Sequence, residues 1–148
     1  MAISAKKFFT PEQQEDIKQA VLNAELDTSG EIRIHIENQC PGDVLIRAAQ
    51  IFKKLRMNRT ALHNGVLFYL AIENRKFAII GDAGINAVVP ENFWEQIKSK
   101  MLNQFREGHF TQGLSEAITE AGLQLKHHFP HQKNDVNELP DDISFGKK

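Results

Sequence analysis

Cysteine is nearly absent: Cys40 is the single one in 148 residues, which excludes an internal disulfide and a thiolate metal cage. Also absent is any excess of one charge. With 18 basic and 19 acidic residues, the chain has no broad positive field for neutralising phosphates, so nucleic acid is not an expected partner. Long hydrophobic runs are lacking too. None approaches the roughly 20 residues that span a bilayer, so no direct membrane insertion is expected. "MAISAKKFFT" holds no continuous apolar segment of the secretory type, and the expected compartment is the cytoplasm. The length suits one core, expected over residues 1–130. From His131 the chain turns polar and aperiodic, and 131–148 reads as a disordered tail.

What is present reads as alternating elements. "TPEQQEDIKQAVLNAE" places Thr10 as N-cap, Pro11 at the first helical position and Gln13 three residues after the cap, a strong helix start. "EIRIHIEN" alternates, with Ile32, Ile34 and Ile36 on one face and Glu31, Arg33, His35 and Glu37 on the other. This pattern predicts a strand buried on one side. Asp43 is expected to cap a second helix with a stripe of Leu45, Ala48, Ala49, Phe52 and Leu55. "VLFYLAI" predicts a central strand covered on both faces, and "ENRK" a tight turn into "FAII".

Pro90 is expected to open a third helix, with Phe93, Trp94, Ile97, Met101, Leu102 and Phe105 inward and Gly108 at its end. A fourth runs from Phe110 to Pro130. The predicted fold is therefore α/β: a three-layer α/β/α sandwich around a small mixed sheet, with one right-handed β-α-β crossover and one hairpin.

This topology has a chemical consequence. A reversed third strand brings its end back to the edge where the first two begin. Gly30 and Glu31, His63, Asn64 and Gly65, and Gly81, Asp82 and Gly84 then collect at one edge. Such oxygen-rich loops suit a hard cation such as calcium, with glycines letting carbonyls turn inward. The same residues also serve as solvated strand ends and simple turns, and spacing alone does not choose between the two.

"SGEIRIHI", "NGVLFYLAIENRKFAIIGDAGI" and "FWEQIKSKMLNQFREGHFTQGLSEAI" follow one another in an order that resembles the TPM domain family, from about Phe9 to Phe129. The resemblance implies an α/β/α sandwich with a divalent-cation site, calcium in some members, and acid phosphatase activity in a plant member. Carried over by position, the metal candidates are Asp82, Glu31 and Asn64, with Ca2+ the expected cation and Mg2+ or another divalent ion the alternative. Many relatives have Asp-Asn-Gly where this chain has His63-Asn64-Gly65, and Gly-x-Gly where it has Gly81-Asp82-Ala83-Gly84.

No catalytic nucleophile stands out. Cys40 lacks an arginine at C-x5-R spacing, Arg47 falling one position too far, and no Asp-x-Asp pair occurs. Asp141 and Asp142 fall in the expected tail. His35 beside Arg33 could bind an anion, though a polar strand face is the simpler reading. His127 and His128 are adjacent on a helix and diverge, so with His131 they do not make a built metal site. Met57, Met101 and Trp94 are expected in the core. Three functions follow as expectations: a calcium-binding interaction module with a protein partner, a metal-assisted phosphatase acting on phosphomonoesters, and a structural domain with no cation site.

Overall fold

The computed structural model describes residues 4–130 and 143–146. Its elements are α1 (Ala5–Phe8), α2 (Pro11–Glu25), β1 (Glu31–Glu37), α3 (Val44–Lys54), a 3-10 turn at Met57–Arg59, β2 (Gly65–Ala71) and β3 (Lys76–Gly81), followed by α4 (Ala83–Asn86), α5 (Phe93–Arg106), α6 (Phe110–His128) and β4 (Ser144–Phe145). The sheet order is β3-β2-β1-β4. β1 runs parallel to β2, and β3 antiparallel to β2. The expected β-α-β unit and hairpin are both there.

Local chemistry explains the element starts. Thr10 and Gln13 form a reciprocal capping box at α2, with Pro11 at the first helical position, satisfying two otherwise orphaned N–H groups. The Asp43 carboxylate accepts from the N–H groups of Leu45 and Ile46 and starts α3. Gly108, at φ +83°, takes the left-handed conformation that ends α5.

The sheet separates two apolar layers. On one face Ile32, Ile34 and Ile36 of β1 and Val66, Phe68 and Leu70 of β2 pack under α2, α5 and α6. On the other, Leu67, Tyr69 and Ala71 of β2 meet Ala48, Ile51 and Phe52 of α3. Every residue of β2 is buried, as its unbroken apolar run predicts. Met57 and Met101 are core residues. Trp94 is half-buried, its indole N–H donating to Asn86 Oδ1 at 2.7 Å.

Four expectations change. The polar face of β1 is not left to solvent: Glu31, His35 and Glu37 are all buried, and Arg47 of α3 pairs with Glu37. The stripe of α3 is rotated, to Ala48, Ile51 and Phe52, while Leu45 and Ile46 are 56% and 63% exposed. In this phase Ala48, Ile51 and Phe52 pack on β2 while Arg47 reaches Glu37. α5 begins at Phe93 instead of Pro90, since Asn92 sits at φ +67° and interrupts the helix. Finally, residues 143–146, within the expected tail, add β4 beside β1. The expectation of disorder for 131–142 and 147–148 lies outside the described residues.

Candidate functional site

Strand pairing brings the expected loops to one corner. Glu31 is registered with Gly65, and Val66 with Gly81. The Asp82 N–H donates to the Gly65 carbonyl at 2.9 Å, and the Glu31 N–H to the Asn64 carbonyl at 3.4 Å. Asp82 then caps α4, its Oδ1 accepting from the Ala83 N–H at 2.8 Å, while Oδ2 lies 3.2 Å from His63 Nδ1. His63 thus stands beside an acid from the neighbouring loop. Its own backbone is left-handed, at φ +51°.

Asn64 is buried, and its Nδ2 donates to Ser29 Oγ at 3.3 Å. Glu31 is buried as well. Gly84 packs directly on the loop before β2: a Cβ there would stand 2.2 Å from the Leu62 carbonyl oxygen and 2.6 Å from that of His63. Only glycine fits this approach.

The donors at this corner are oxygens. Each Asp82 oxygen makes one hydrogen bond within the chain and keeps acceptor capacity, and Asn64, donating through its nitrogen, keeps a carbonyl end. Among the described residues no three His, Cys, Asp or Glu side chains gather as a metal cage. A cation at this corner would therefore draw on the carboxamide, backbone oxygens and water as well as carboxylates, a mixture calcium accepts. The donor chemistry of Asp82, Asn64 and Glu31 fits a hard cation on those terms.

A second cluster lies at the other end of β1, and sequence reasoning missed it. Arg47 Nε and Nη2 donate to the two Glu37 carboxylate oxygens at 2.8 and 2.9 Å. The Tyr69 hydroxyl donates to the same carboxylate. His35 Nε2 is 3.4 Å from Glu37 Oε1, Nδ1 is 3.0 Å from Ser144 Oγ, and the ring stacks on Tyr69.

Burial pushes the Glu37 pKa up, but the hydrogen bonds from Arg47, Tyr69 and His35 outweigh it and leave it below the usual carboxylate value. For His35 burial wins, and its pKa falls despite Glu37. Burial and Glu37 together push the Tyr69 hydroxyl well up. The available signal was the pairing of an inward arginine on α3 with a strand acid ten residues earlier, which no local period reveals. The anion site considered for Arg33 and His35 is not what His35 does here, since both ring nitrogens face partners within the chain. His127 and His128 meet edge to face at 4.6 Å between centroids, and His131, Asp141 and Asp142 lie outside the described residues.

Sheet order, covering helices and the loop-built corner define a mixed α/β domain. The chain belongs to the TPM domain family, whose model matches residues 3–124. It is similar to the BA42 protein of the psychrophilic bacterium Bizionia argentinensis, with 45% identity, 95% of this chain and 97% of that chain covered, and a TM-score of 0.87. Two further solved domains share the fold. One is the N-terminal domain of a P. gingivalis protein, at 19% identity, TM-score 0.68 and coverage of 85% and 84%. The other is the N-terminal domain of cg2496 from Corynebacterium glutamicum, at 11%, 0.65 and coverage of 88% and 82%. No curated protein matches the sequence. Among the described residues no helix is long and apolar enough to cross a membrane.

Proposed function

We propose that the chain is a divalent-cation-binding TPM domain that serves as an interaction or assembly module through the loops at this corner, with Ca2+ as the cation. One observation carries the reading: Glu31 at the start of β1, Asn64 just before β2 and Asp82 just after β3 occupy neighbouring backbone positions at one sheet edge. Asp82 and Asn64 would hold the ion, with Glu31 adding buried negative charge. When bound, calcium would supply positive charge that draws the three loops together. The chain's own part is to fix those loops through the ladder and the Gly84 contact.

A structural joint with no ion is the competing reading, and a specific observation favours it. The carbonyls of His63, Asn64, Gly65 and Gly81 all accept hydrogen bonds within the corner, so the loops are knitted without help.

Thermal unfolding separates the two. Calcium should raise the Tm of the wild-type chain relative to chelator, by the equivalent of about 2.7 kcal/mol at a hundred times the Kd. Asp82→Asn should lose most of that gain while still capping α4, because asparagine caps as well as aspartate. Equal Tm values in calcium and chelator would leave the structural joint as the function of the corner. Phosphomonoester turnover lost with Asp82→Asn would instead make the module an enzyme.

A further inference from the structure

At the sheet end opposite the corner, the β2–β3 turn, α1 and the joint between α5 and α6 enclose a cavity of about 340 Å³, within the ordinary size range of small-molecule sites. Phe8, Phe77, Phe105 and Phe110 line it, together with Arg75 and Arg106. The rings form one continuous cluster. Phe77 and Phe105 are 5.1 Å apart, Phe105 and Phe110 5.2 Å, and Phe8 and Phe110 5.1 Å. Such edge and tilted contacts hold ring orientations firmly.

The joint that places two of these rings is itself fixed. Gly108 is left-handed, and His109 bonds back to Gln104 through both its N–H, at 2.9 Å, and its ring, at 3.1 Å. "FREGHF" is therefore a rigid corner that sets Phe105, Arg106 and Phe110 around one space.

Arg75 and Arg106 stand at the exposed edge of this space. Arg75 sits at φ +53° in the β2–β3 turn, a left-handed conformation that glycine adopts more freely. Neither Arg75 nor Arg106 makes an ion pair with a carboxylate among the described residues; Arg106 Nη1 donates to Asn103 Oδ1 at 2.6 Å. An apolar, aromatic-walled space with two guanidinium groups at its edge, neither paired with a carboxylate among the described residues, is complementary to a ligand with an apolar body and a planar anionic head. Guanidinium forks match a carboxylate in two parallel hydrogen bonds.

We infer that this cavity is a binding site for a small amphipathic carboxylate, its tail among the four phenylalanines and its head at Arg75 and Arg106. The inference is independent of the cation corner.

The test is titration of the full isotope-labelled chain with octanoate and, separately, with uncharged octan-1-ol, followed by amide NMR. Octanoate should shift Arg75, Phe77, Phe105, Arg106 and Phe110 saturably, and bind roughly tenfold more tightly than octanol, the gain of one charge-assisted hydrogen bond pair. The Arg75→Gln/Arg106→Gln double variant should bring octanoate down to the octanol level. Leu102→Trp, which fills the same space, should abolish both. Equal affinities of octanoate and octanol for the wild-type chain would overturn the assignment, as would shifts confined to other regions or none at all.

Discussion

Replacing Glu37 by alanine is expected to cost about 3 kcal/mol of unfolding free energy, the low end of the loss when one partner of a buried ion pair is removed, because the Arg47 side chain keeps 29% of its exposure. Three groups converge on this carboxylate: the Arg47 guanidinium, the Tyr69 hydroxyl and the His35 ring. Without it, the buried Tyr69 hydroxyl loses its carboxylate acceptor at a desolvation cost, while the partly exposed Arg47 turns to water. Against a total stability of about 5–15 kcal/mol for a typical domain, such a loss is readily seen as a lower denaturant midpoint at unchanged slope. A shift below about 1 kcal/mol would mean that the cluster adds little to the fold.

The same cluster sets the response to acid. The pKa of Glu37 in the folded chain is below its ordinary 4.5. Its contribution is therefore fully present above pH 4.5 and is lost as pH falls through the lowered folded value. His35, also lowered, from 6.5, is held neutral. The unfolded chain takes up a proton there first, so stability begins to fall below pH 6.5. Glu37→Gln should flatten the lower limb of the stability–pH curve, and His35→Gln the upper one.

The second large effect belongs to the corner. Gly84→Ala should destabilise by about 2–3 kcal/mol, in the upper part of the range for overpacked sites. Its Cβ would meet backbone oxygens of Leu62 and His63, which cannot step aside as a flexible side chain can. Gly42→Ala is the comparison. Gly42 is left-handed at φ +81° with open space around its missing side chain, so only the conformational term of about 1 kcal/mol applies. Equal losses at the two positions would contradict the close approach between the α4 turn and the loop before β2.

The residues differ in how plainly they announce these roles. Thr10, Pro11 and Gln13 carry their capping chemistry within four positions, and β2 declares its burial by an unbroken apolar run. Both are local signals. The strand polarities that gather Glu31, Asn64 and Asp82 follow from one crossover and one hairpin, so the corner too was readable. What escaped was pairing between distant residues. Glu37, His35 and Arg33 alternate with isoleucines just as a solvent-facing row would, and only Arg47 on α3 and Tyr69 on β2 reveal the cover. Leu45 looked inward for a related reason: hydrophobic spacing gives a helix its period, while its phase depends on the sheet residues it packs against. β4, with two residues, is too short for any period to register. His63 beside Asp82 was visible as a departure from the family pattern, yet its contact with the acid depends on both turns.

The most direct test of the cation corner is a calcium titration of the full chain followed by amide chemical shifts. Saturable changes centred on Gly30 and Glu31, His63 to Gly65 and Gly81 to Asn86, and strongly weakened by Asp82→Asn, are the predicted result. Unmoved amides in all three loops at millimolar calcium, with the fold intact, would contradict it.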